Sequence, residues 1–215
     1  MRELVGAARS GSLLDEGVTA ETVSADCRAA ALSFMSGVAT GWDKLDLALW
    51  LTGPYAAAVR HGVARERVPS LSYGPPLAES EVERLVTRVR GQILAALENA
   101  ALDGGALGFV PDIVRRGLIR RAVDREGREV WIPRDIVRMR LRDRVESLFA
   151  VDHLNVPAPY ADLLVCHLCE AIVFDKAAKQ LGMCCHHKRD SGVVPRFEDV
   201  GGAPVNPTGK VRTSA

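Results

Sequence analysis

The residues with the clearest chemistry lie near the carboxyl end: Cys166, Cys169, Cys184, Cys185, His186 and His187. Zinc prefers thiolate sulfur and imidazole nitrogen, four at a time in a tetrahedron, and structural sites commonly draw them from two close pairs separated by a loop. Cys166 and Cys169 make one pair at Cys-x2-Cys spacing. After fourteen intervening residues, Cys184 and His187 make a second at Cys-x2-His spacing. Cys185 and His186 are the alternates for that second pair. His167 is disfavoured, because its neighbours already occupy that side of the metal. Four such donors close the coordination sphere, whereas catalysis needs an open position, so the reading is structural zinc. The competing reading is a pair of small buried thiols on one face of a helix, should residues 161–181 form one.

Other chemistry is excluded by what the chain lacks. It has no Gly-x4-Gly-Lys-Ser/Thr loop, no Gly-x-Gly-x2-Gly and no His-Glu-x2-His. Val194-Pro195-Arg196 and Gly201-Gly202 follow the first cysteine pair in the order seen in HNH-type nucleases. The Asp-His pair that should precede that proline is absent, and Asp152-His153 comes before the first cysteine. No catalytic residue is assigned, and the chain is read as non-enzymatic, with no small-molecule substrate evident.

A second feature is electrostatic. Net charge is only +1, yet residues 111–145 hold eleven arginines against six acids. Within them a helical turn at 112–116, Gly117, an apolar-basic run to Val123, a charged turn with Gly127 and an aromatic-bearing run to Ile132 follow in order. This succession resembles the wing of winged-helix DNA-binding domains. The resemblance implies a hairpin whose basic side chains, Arg115, Arg116, Arg120, Arg121, Arg125 and Arg128, reach backbone phosphates. The alternative is a solvated or protein-docking arginine face, with Arg138 and Arg142 paired to Asp135, Asp143 and Glu146.

The elements that must position these residues follow from periodicity. Apolar positions from Val23 to Val38 predict a helix beginning at Thr19 and ending at Gly41. Asp43 caps a short helix over 45–51 that stops at Gly53-Pro54, and a third covers 56–63. Residues 69–76, rich in proline, are a linker. Ser80 and Glu83 form a capping box for a long helix whose stripe runs from Val82 to Ala101, stopped by Gly104-Gly105. The hairpin occupies 118–132. Pro133 opens the next helix, with Val137, Leu141, Val145 and Leu148 inward and Arg138, Arg140, Arg142 and Arg144 off that face. Residues 161–181 form either one helix ended by Gly182, or a knuckle with a short strand and helix. The last residues, 188–215, read as an extended arm.

A chain of 215 residues, 47% hydrophobic and 26% charged, is long enough for a substantial core. With no signal-like amino terminus and no long apolar run, it reads as cytoplasmic, where cysteines bind metal more often than they pair. The expected fold is α+β and mostly helical. A helical region (1–76) precedes a long helix, hairpin and arginine-rich helix (77–153), a zinc module (154–187) and the arm. The expected function is that of a zinc-stabilised, nucleic-acid-binding protein, for example a regulator. The rival is a structural component of an assembly such as a virion, docking through its arginine face and arm.

Overall fold

The computed structural model describes residues 14, 15, 17–61, 78–136 and 139–190, with the side chains of 188–190 excepted. The expected linker at 69–76, residues 191–215 of the expected arm and the Val137–Arg138 positions lie outside the described residues; residues 188–190, expected as the start of the extended arm, instead end a helix, Cys185–Asp190. Helix α1, Ala20–Ala39, starts where Thr19 and Thr22 exchange a reciprocal capping box. Helix α2, Lys44–Trp50, is capped by Asp43 with Asp46 in the same manner. It does not stop at Gly53-Pro54 as expected. It passes through a π-helical turn, Leu51–Tyr55, into α3, Ala56–Val59. A proline has no N–H to donate, and the looser π turn accommodates it without ending the helix.

Helix α4, Glu79–Leu102, buries Val82, Val86, Val89, Ile93, Leu94, Leu97 and Ala100, the stripe read from the sequence. Its cap differs from the expected Ser80–Glu83 box. Glu81 reaches back to the N–H of Ala78 at 2.6 Å, one turn earlier, and Ser80 lies inside the helix. After Gly105, α5, Val110–Arg115, leads into an antiparallel hairpin of β1, Ile119–Val123, and β2, Glu129–Pro133. Pro133 pairs with Ile119 at the end of β2 rather than opening a helix, a position a proline can hold at the end of an edge strand.

Helix α6, Leu141–Asn155, packs against α1, α4, α5 and β2 and is the centre of the molecule. Every residue from Asp143 to Asp152 is buried. Arg144, expected on a solvated face, is therefore interior. Its charge is met by Asp135, and its guanidinium lies over the Tyr55 ring. The other charges of this helix are matched too: Asp143 by Arg116, Glu146 by Arg142, and Asp152 by Arg28. A helix this rich in charge can be central only because each carboxylate or guanidinium finds a partner; unpaired, each would cost several kcal/mol (order of magnitude).

One continuous apolar core runs from Leu14 to Val165. The chain is thus mostly helical α+β, with a hairpin in the middle and a small Cys/His module at the end. No helix among the described residues is long and apolar enough to cross a membrane.

Candidate metal centre

A 3₁₀ turn, Ala158–Asp162, leads into the module: β3, Leu163–Val165, pairs antiparallel with β4, Ile172–Phe174. Residues 161–181 are thus not one helix. The six residues between the strands make the knuckle that carries Cys166 and Cys169. The N–H of Cys166 donates to Ala171 O at 2.9 Å and that of Glu170 to Cys166 O at 2.7 Å, which closes the turn. Helix α7, Lys176–Leu181, is capped by Asp175 and ended by left-handed Gly182. Gly182 turns the chain back so that Cys184 and the first turn of α8, Cys185–Asp190, meet the knuckle.

Four side chains converge there: Cys166, Cys169, Cys184 and His187, with all donor atoms within 4.8 Å of one another. Cys169 Sγ lies 3.6 Å from Cys184 Sγ, and His187 Nδ1 lies 3.6 Å from Cys166 Sγ and 3.3 Å from Cys184 Sγ. A tetrahedron with Zn–S bonds of about 2.3 Å and a Zn–N bond of about 2.0–2.1 Å separates its donors by roughly 3.5–3.8 Å. The three separations of 3.3–3.6 Å are close to that spacing, and the group as a whole could hold a metal ion. Cys185 and His186 are both exposed and outside the group. The reason is helical phase: Cys184 and His187, three apart, share a face from which the two intervening residues turn away. His167 is exposed as well and its Nδ1 lies 3.0 Å from Gly182 O.

Backbone N–H groups are aimed at the sulfurs. Burial opposes ionisation of Cys166, but the N–H groups of Cys184, Leu168 and Cys169 outweigh it and lower its pKa. Cys184 is lowered likewise, against its burial, by the N–H of His187, the His187 ring and its neighbours. Although Cys169 is an exposed residue, local desolvation of its sulfur pushes it up, reinforced by the adjacent thiols of Cys184 and Cys166, and proximity to Cys184 and then Cys166 raises His187. A metal needs thiolates, so N–H groups already turned toward sulfur lower the work of loading it.

Two residues that support the knuckle had no signal strong enough to be found in the sequence. Glu170, directly after the second cysteine, has φ of 56°, the left-handed region that favours glycine. Its carboxylate meets Arg90 Nη1 at 2.5 Å, and Arg90 Nε donates to Met35 O at 3.0 Å, tying the knuckle to α4 and α1. A cleft of about 370 Å³ lies beside this pair, with Met35 and Cys169 among its walls.

The expected arginine contacts are placed as follows. Arg115 pairs with Asp112, and Arg116 bridges Asp112 and Asp143. Arg121 pairs with Glu129 across the hairpin and lies over Trp131, and Arg128 pairs with Asp124 and Glu126. Arg120 is half-buried on β1, and Arg125 is exposed at the turn. Arg142 pairs with Glu146 as expected, whereas Asp135 and Asp143 are taken by Arg144 and Arg116. No protein-family model, curated protein or solved structure matches this chain.

Proposed function

We propose that this chain is a non-enzymatic nucleic-acid-binding protein whose carboxyl-terminal module is stapled by one structural zinc ion. The convergence of the donor atoms carries the zinc assignment: three sulfurs and one nitrogen lie within 4.8 Å of one another, three of their separations being 3.3–3.6 Å. The soft donor set favours zinc, and four protein ligands leave no position for a reacting water. Nucleic-acid contact is supported by the arginine excess at 111–145 and by the exposed guanidinium groups of Arg115, Arg121 and Arg128 along α5 and the hairpin. The partners of Arg115 and Arg121, Asp112 and Glu129, do not preclude phosphate, because an exposed ion pair is worth only about 0–1 kcal/mol.

Those same pairs favour a second reading, a component of a protein assembly, in which the arginines serve an interface. The exposed Leu45 and Leu49, four apart on α2, add apolar surface to it. Two measurements test the proposal. Metal analysis should give one zinc per chain, lost in Cys166→Ser and in Cys184→Ser; a metal-free parent protein rejects the staple. Random duplex DNA should bind at low salt and weaken steeply as salt rises, with the slope reduced by about 1 for each phosphate contact removed in Arg120→Ala/Arg121→Ala. Absence of binding at low salt, together with a large oligomer that dissociates when residues 188–215 are deleted, supports the assembly reading instead.

A further inference from the structure

The four donors are not equivalent. Cys166 and Cys184 are buried at 0% and 1% exposure, His187 is half-buried, and Cys169 is an exposed residue. The sulfur of this exposed residue lies 3.6 Å from Cys184 Sγ. A disulfide needs about 2.05 Å, so about 1.5 Å of approach, shared between two side chains, would join them. Of the three cysteines in the cluster, Cys169 is thus the one at the surface, within reach of a small oxidant, and Cys184 Sγ stands 3.6 Å away to resolve it.

We infer that the cluster is a peroxide-sensitive metal switch, in which Cys169 is oxidised first and Cys184 resolves it to a disulfide, expelling the zinc. The inference rests on the zinc reading above. The Cys169 thiolate attacks one oxygen of hydrogen peroxide: an S–O bond forms, the O–O bond breaks, and hydroxide leaves and is protonated to water. The Cys184 thiolate then attacks that sulfur, forming the S–S bond and breaking S–O as a second hydroxide leaves. The two sulfurs lose two electrons and the peroxide gains them, becoming two waters with two protons from solvent. Zinc keeps its charge throughout. It is left with Cys166 and His187 alone, too few ligands to hold it.

The products differ in what they tether. A Cys169–Cys184 disulfide still links the knuckle to the segment after α7, so the module stays closed there. His187, by contrast, loses the ion that holds it to Cys166 and Cys184. Oxidation therefore frees α8 selectively, and a thiol reductant with zinc restores it.

The test uses the full chain isolated with zinc, its metal content measured before any oxidant is added. Hydrogen peroxide should release one zinc per chain to a chromogenic chelator. Intact mass should fall by two hydrogens, and peptide mapping should find the Cys169–Cys184 link. Cys169→His keeps four ligands but cannot form the link, so it should hold its zinc several-fold longer under peroxide. Cys185→Ser should release zinc at the parent rate. Zinc that stays bound while peroxide oxidises the protein, or a link other than Cys169–Cys184, overturns the switch and leaves the staple standing. A chain with no zinc before peroxide overturns both.

Discussion

At the scale of single residues, Glu170 shows how a local conformation and a long-range contact compete. A non-glycine residue in the left-handed region costs roughly 1–2 kcal/mol, whereas its exposed pair with Arg90 returns about 0–1 kcal/mol. Glu170→Gly should therefore leave the zinc-loaded protein as stable as the parent or slightly more so. Glu170→Ala, which keeps the strain and loses the pair, should lower stability by up to about 1 kcal/mol. Urea midpoints check the ordering; Gly below the parent would mean that the pair outweighs the backbone strain, and Gly below Ala that glycine's flexibility costs more than the strain it relieves. His153 gives a pH dependence. Burial lowers its pKa from 6.5, and its Nδ1 is buried with no hydrogen-bond partner. The unfolded chain thus takes up the proton first as pH falls. Stability from this residue is full above about pH 6.5 and declines from there down to the lowered value in the fold. Thermal melts across that window should show a shallower decline in His153→Phe than in the parent.

At the scale of elements, Asp152 joins three of them. Its buried carboxylate accepts from Arg28 Nε and Nη2 of α1 at 2.8 and 2.9 Å, from Ser24 of the same helix, and from the Tyr160 hydroxyl at 2.7 Å. Arg28 also lies over the Phe174 ring of β4, so the network reaches into the metal module. Removing the carboxylate strands a guanidinium and a phenol in the interior. Asp152→Ala should cost about 3–5 kcal/mol, and Tyr160→Phe about 1 kcal/mol, measured by urea unfolding. A loss below about 1 kcal/mol in Asp152→Ala would show that water replaces the carboxylate there. The same junction explains Gly105, where φ is 94° and a Cβ would stand 2.3 Å from Tyr160 O. A side chain there would push α4 away from the 3₁₀ turn that starts the module.

For the whole molecule, the core and the metal module differ in what can hold them. The core is continuous from Leu14 to Val165. The module has two three-residue strands and two six-residue helices, too little to stand without a staple. A zinc chelator at neutral pH should therefore raise amide hydrogen exchange from residue 166 onward, while α1, α4 and α6 stay protected. Loss of protection throughout the chain would instead make the cluster part of one cooperative unit.

Much of this was local, and local features are legible. The two donor pairs, the caps at Thr19 and Asp43, the α4 stripe and the hairpin turn at Gly127 all depend on residues within a few positions of one another. Spacing along the chain was therefore enough to name Cys166, Cys169, Cys184 and His187. It preferred them to Cys185 and His186 but left those two as alternates, and what sets them apart is the phase of the chain after Gly182. Nor did it reveal α6 as the central helix, because periodicity marks an apolar stripe and α6 is buried on its charged positions as well. The partners that permit this are distant: Arg28 is 124 residues from Asp152, and Arg116 is 27 from Asp143. Sequence alone determined which residues could bind a metal and where most elements begin. Only the tertiary structure decided which charges are interior, because burying a charge depends on a partner that chain proximity does not supply.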